Sequence, residues 1–362
     1  GGFMTSSPDG SSTNGASQNG DFAALLRAGF PYEKTLGRRA VTFSPIDLAV
    51  TKDKAVYFLG RGPFIKGGQL IAISDDDEEL GIIRRRDLEP GEPPMNSGWK
   101  WPVGIVLDAE ERLIVSDEAE DTITIVTKDS EIVAEWGEHG SDPGQLDRPA
   151  HMVIDAEGLL LVVDTMNHRV QRFTLEGEYV DGFGSFGDAP GQFNMPWGIA
   201  LDSEGCIYVG DWRNDRVQKL TPTGEPLMQI GSSGDGEGEL NRPAGVDVDQ
   251  HGDIYVADRG NNRVMLFNRD GRYVERFFGD ATVSKSGLKY LLENSLPLRL
   301  RDMAILEEQK RFMAPASVRV IDDRMYVADY SYNRIQIYRK EAYPLTADQI
   351  LPHPGKPTLA TT

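Results

Sequence analysis

The sequence predicts an all-β fold: a six-bladed β-propeller of four-stranded antiparallel blades, its ring closed by the N-terminal strand, with a short helical insertion between blades 5 and 6. Three observations carry this prediction. Pro102, Pro149, Pro196 and Pro243 stand 47 residues apart, and Asp117, Asp164, Asp211 and Asp258 keep the same step. A fixed period of this length marks solenoids or propellers. Within a copy, HMVIDAEGLLLVVD (151–164) gives two apolar runs around an Asp-Ala-Glu-Gly turn, and RVQRFTLEGEYVDGFG (169–184) alternates through a turn at Gly177. That rhythm means four short strands per copy, which is one propeller blade. No helical pattern of a dozen residues intervenes between the strands, so a parallel α/β sheet is excluded.

Residues 1–29 open with the small, polar stretch TSSPDGSSTNGASQNG (5–20) and are expected to form a tail that is disordered or partly ordered. The propeller is expected over 30–343. YEKTLG (32–37) has the form of EYVDGFG (178–184), an outer strand ending in Gly. The last copy, opening at Pro315, supplies three strands before Lys340, and Pro344 interrupts the stretch after it. The N-terminal strand therefore completes the last blade and removes the exposed edges. An atypical first copy runs from Pro45 through Gly60. Pro243 and Pro315 are 72 residues apart, and the excess falls in 284–312, within an insertion spanning 280–313. Leu288, Leu291 and Leu292, then Met303, Ile305 and Leu306, predict two short amphipathic helices around Pro297, a lid or docking element. Residues 344–362 form a second tail.

The formal charge is -19 and the pI about 4.7, which argues against nucleic acid, whose binding draws on Lys and Arg at phosphates. No apolar run is long enough to span a bilayer. Cys206 stands alone, so an intramolecular disulfide and a Cys-based zinc site are excluded, and a buried structural thiol is expected. Gly1-Gly2-Phe3 ahead of Met4 reads as a cloning remnant, which places the chain in the cytoplasm; a processed N-terminus would make it secreted or periplasmic.

Four of the six b–c loops repeat one set of residues: Asp164, Asn167 and Arg169; Asp211, Asn214 and Arg216; Asp258, Asn261 and Arg263; Asp329 and Arg334. The set is read as structural, its side chains satisfying a short loop's backbone groups. The pattern resembles the NHL-repeat family of six-bladed propellers, most fully in PWGIALDSEGCIYVGDWRNDRVQKL (196–220) and PAGVDVDQHGDIYVADRGNNRVMLF (243–267). Copies one and two are degenerate: VYFLGRGPF (56–64) lacks the Asp, and SDEAEDTI (116–123) lacks Asn and Arg. The resemblance implies protein-binding, RNA-binding or enzymatic roles, because sites are grafted onto folds.

In a propeller the b–c loops and d-to-a crossings share one face. That face is expected to carry Trp99, Trp101, Arg148, His151, Met195, Trp197, Trp212, Arg213, Arg242, Arg259, Phe312, Tyr330 and Tyr332. Aromatic residues and Arg anchor interfaces, so the leading expectation is a scaffold that binds a protein or peptide without a cofactor. The alternative is a metal-dependent lyase or hydrolase at the channel mouth, with Asp47 and His151 near a divalent ion such as calcium or zinc and Arg61 as a polarising group. Arg61 resembles an Arg of bacterial lyase-like proteins. The zinc lyases among similar propellers carry His directly after the strand-opening Pro, where this sequence has Val103, Ala150, Trp197, Ala244 and Ala316.

Overall fold

The computed structural model describes residues 24–37, 41–62, 66–294 and 306–350. Six four-stranded antiparallel sheets form the propeller. Blade 3 shows the plan: strand a is Pro149–Ile154, b Leu160–Asp164, c Arg169–Phe173 and d Tyr179–Phe183. Blade 6 takes strands a to c from Pro315–Ile321, Arg324–Asp329 and Arg334–Arg339, and its outer strand is Tyr32–Leu36, with Leu36 opposite Ile335. The N-terminal strand closes the ring as the sequence predicts.

The alternating apolar faces of neighbouring blades meet in six hydrophobic clusters, one per seam. Between blades 6 and 1, for example, Leu36, Leu48, Phe58, Ile335 and Ile337 pack together, all of them fully buried. The inner strands of successive blades lie against one another around the axis.

The position two residues after each strand-opening Pro faces this axis: Asp47, Gly104, His151, Gly198, Gly245 and Ser317, all six buried. Glycine is required here by close approach. A Cβ on Gly104 would lie 2.5 Å from the Ala150 carbonyl oxygen, and one on Gly198 2.3 Å from that of Ala244. Two residues further along stand Ala49, Val106, Val153, Ala200, Asp247 and Arg319, of which the two alanines are buried and the other four half-buried.

A second unit pairs strand Ala24–Gly29 with Glu341–Leu345, placing Leu25 opposite Pro344, with a short helix at Ala347–Ile350. Strand thus occupies parts of the expected tails, 1–29 and 344–362, while residues 1–23 and 351–362 lie outside the described residues. In the insertion, helices span Lys285–Glu293 and Leu306–Lys310. The Ser284 hydroxyl caps the first by accepting from the Gly287 N–H and itself donates to the Gly37 carbonyl. Asp77 accepts from the N–H groups of Gly37 and Ser286, so the described contacts lie at the outer strand of blade 6 and the c–d turn of blade 1. Pro297, Met303 and Ile305 lie outside the described residues. Cys206 is a buried free thiol.

Candidate functional site

The repeated Asp organises each b–c loop from within its own blade. In blade 4, Asp211 accepts from the Asn194 N–H at 2.7 Å, from Asn214 Nδ2 at 2.9 Å and from Arg216 Nε at 2.8 Å. Arg216 then donates to the carbonyls of Asp188, Ala189 and Gln192, pinning the preceding crossing. Blades 3 and 5 repeat the pattern with Asp164, Asn167 and Arg169 and with Asp258, Asn261 and Arg263, and blade 6 keeps the Asp329–Arg334 pair.

A second set of bonds joins one blade to the next. Arg148, Met195, Arg242, Ala314 and Ser44, each preceding a strand-opening Pro, donate their N–H to Asp121, His168, Asp215, Asn262 and Asn333 of the previous blade, at 2.6 to 3.0 Å. All ten residues have positive φ. At the seam from blade 1 to blade 2 the equivalent N–H, that of Trp101, donates instead to Asp117 of its own blade.

On the axis, Asp47 is held by Arg319 at 2.6 and 3.0 Å, by the Ser317 hydroxyl at 2.6 Å and by the Ile105 N–H at 3.0 Å. Burial acts to raise its carboxyl, but Arg319 and His151 outweigh this and hold it below the usual range. The His151 Nε2 stands 3.7 Å from Asp47, beyond hydrogen bonding, and both of its ring nitrogens are buried with no partner. Burial, with Arg319 and Arg61, lowers its pKa to about 4, so the imidazole is neutral near pH 7. Asp247, below this layer, accepts from the Val320 and Val248 N–H groups, and burial, with Asp47 nearby, raises its pKa to about 6.

A divalent ion at this point does not fit the side chains present. Both oxygens of Asp47 are taken, two guanidinium groups act on the same spot, and His151 alone offers nitrogens. Among the described residues one group of metal-capable side chains comes together elsewhere: Asp121, His139 and Asp147, with ligand atoms within 4.8 Å of one another. It lies off the axis, and Asp121 already engages His139 and the Arg148 N–H.

One position past the residue paired with each strand-opening Pro stand Arg61, Glu118, Thr165, Trp212, Arg259 and Tyr330, a ring at the channel mouth. Arg61 pairs with Glu118 at 3.2 Å and lies 4.7 Å from the Trp101 ring centroid. Burial raises the Glu118 carboxyl despite Arg61 and Arg148. Arg259 stacks on Tyr330 at 4.7 Å, and Arg242 and Arg213 flank Trp212 at 5.2 and 5.7 Å. Arg334 lies over Tyr332 at 4.8 Å. Trp197 is half-buried above His151, the rings 6.4 Å apart, with its indole N–H buried and unpartnered.

Two residues expected on this face are core instead. Trp99 is 1% exposed and packs in the cluster between blades 1 and 2, and Phe312 is 2% exposed in the cluster between blades 5 and 6. His151 is also buried, beneath Trp197. Sequence reasoning misses Glu118, Thr165, Asp247 and Arg319. Counting one position past the Asp, or four past the Pro, finds them all. Of two clefts, of about 450 and 420 Å³, one is lined by Arg85, Trp99, Lys100 and Glu120 and the other by Thr51 and Arg324.

This geometry is that of a repeat propeller, and the comparisons agree. The NHL repeat model matches residues 240–265, and that of the SMP-30/gluconolactonase/LRE-like region matches 145–234. These matches support the NHL-repeat propeller family for this chain. No curated protein matches it. Among solved structures, this NHL propeller is similar to a catalytically inactive variant of virginiamycin B lyase from Staphylococcus aureus with quinupristin: 14% identity, TM-score 0.53, covering 89% of this chain and 90% of that one. It is also similar to XC5397, a gluconolactonase from Xanthomonas campestris, at 11% identity and TM-score 0.57, covering 87% and 100%. A protein of unknown function from Bacteroides thetaiotaomicron gives 19% and 0.56, covering 88% and 76%. At these identities the likeness of the NHL propeller to all three is one of fold.

Proposed function

We propose that this propeller is a binding scaffold that holds a protein or peptide partner on the face of its b–c loops and d–a crossings. The observation that supports this best is the set of Arg–aromatic stacks there: Arg259 on Tyr330, Arg213 and Arg242 on Trp212, and the buried Arg61 on a half-exposed Trp101. Such stacks offer rigid apolar area and oriented donors at little entropic cost. They also put positive charge at the centre of an acidic chain, which favours a partner carrying negative charge.

Selection of random dodecapeptides on the purified chain tests the reading. Selected peptides are expected to bind wild type and to lose about tenfold or more with Trp212→Ala, near 1.4 kcal/mol or above. Peptides that bind Trp212→Ala and wild type equally would place the contact elsewhere. A stoichiometric divalent ion in the purified protein, lost on His151→Ala, would favour a metal-dependent enzyme and overturn the scaffold reading.

A further inference from the structure

The mouth ring contains more positive charge than the protein neutralises. Arg61, Tyr330 and Arg259 occupy adjacent places in it, since blades 5, 6 and 1 are consecutive. Arg61 donates from one nitrogen to Glu118, while its buried Nε has no partner. The Arg259 side chain has neither a hydrogen bond nor an ion pair among the described residues; its one described contact is the Tyr330 ring. Burial lowers its pKa, and Arg61 adds to that, which places the two guanidinium groups within electrostatic reach of each other. Against them the ring holds one carboxylate, Glu118. The Trp197 indole packs, like the Tyr330 ring, against the buried cluster between blades 1 and 2, and its N–H is buried and unpartnered. A buried donor without an acceptor is destabilising, because it has lost its water without gaining a partner. Two such donors, Arg61 Nε and Trp197 Nε1, with the uncompensated positive charge of Arg259, describe a receptor for one negatively charged acceptor.

We propose that Arg61, Tyr330 and Arg259, with the Trp197 indole N–H, take a single carboxylate presented by an acidic peptide partner. This rests on the binding-face reading and names the chemistry at its centre. Guanidinium groups suit carboxylate geometry and give charge-assisted bonds. A polyanion fits poorly, because the crossings around the mouth carry exposed Asp142, Asp188 and Asp235, which repel a phosphate chain.

The test follows the Trp197 indole signal in ¹⁵N-labelled full-length protein, assigned with Trp197→Phe. Two probes distinguish the sources of a carboxylate: acetyl-Gly-Ala-Glu-Ala-Gly-amide carries a side-chain group, and acetyl-Gly-Ala-Gln-Ala-Gly with a free C-terminus carries a terminal one. The Gln peptide amide and inorganic phosphate are controls. At least one carboxylate probe is expected to shift the signal below about 10 mM, since about 4 kcal/mol corresponds to a millimolar Kd. Arg259→Met is expected to weaken that response at least tenfold, with the remaining spectrum unchanged as proof of folding. Tyr330→Phe, a milder change, is expected to weaken it less. The proposal is overturned if neither probe shifts the signal, if the amide control or phosphate does so equally well, or if Arg259→Met responds like wild type. A carboxylate response without any selected dodecapeptide would keep this site and remove the scaffold. Selected peptides indifferent to Arg259→Met would do the reverse.

Discussion

Asp side chains on the axis divide by what surrounds them, and the buried Asp47 and half-buried Asp247 show the two outcomes. Asp47 accepts four hydrogen bonds, two of them from Arg319, and stays ionised. Asp247 has two backbone donors, and its pKa rises to about 6 from an ordinary 3.8. Its contribution to stability is therefore full below about 3.8 and lost as pH rises through about 6. Asp247→Asn is expected to gain on wild type by about 1–2 kcal/mol between acid and neutral pH, a figure reduced for the side chain's partial exposure. Urea unfolding of both proteins on either side of this window measures it; a difference independent of pH would show that folding leaves the Asp247 pKa unshifted.

At the scale of the element, a blade is held twice: by its own Asp–Asn–Arg set and by the latch to its neighbour. Each latch is one hydrogen bond between two residues in the left-handed region, worth about 1 kcal/mol. Asp215→Gly is expected to cost about that much, and Asp215→Ala about 1–2 kcal/mol more, because Ala resists positive φ. In blade 3 the acceptor is the His168 Nδ1, which must carry a lone pair, and burial lowers its pKa. Its contribution is present above the ordinary His value of 6.5 and lost as pH falls through the lower folded value. The protection factor of the Met195 amide, its exchange relative to the intrinsic rate at each pH, is expected to fall on acidification in wild type and not in His168→Asn. The first set was legible in the sequence, since Asp, Asn and Arg recur as letters. The latch was not, because Asp121, His168, Asp215, Asn262 and Asn333 share an acceptor and a backbone angle, not an identity. Trp99 and Phe312 were misplaced for a related reason. Their distance from the Pro gives the crossing they belong to, and packing alone decides whether the ring turns outward or into the seam.

For the whole molecule, closure depends on Tyr32–Leu36, far in sequence from the blade it completes. Deleting residues 1–37 is expected to uncover the edge at Ile335 and Ile337 and to yield a self-associating protein by size-exclusion chromatography. A synthetic peptide of residues 30–37 added in trans is expected to restore the monomer. A truncated chain that stays monomeric and equally heat-stable would show that the outer strand is dispensable. The same ring has a consequence for traffic through its middle. With Asp47, Gly104, His151, Gly198, Gly245 and Ser317 all shut away from water, the propeller is a cup and not a conduit. A guest at the mouth leaves by the way it came, and a solute on the opposite side can neither chase it out nor follow it in.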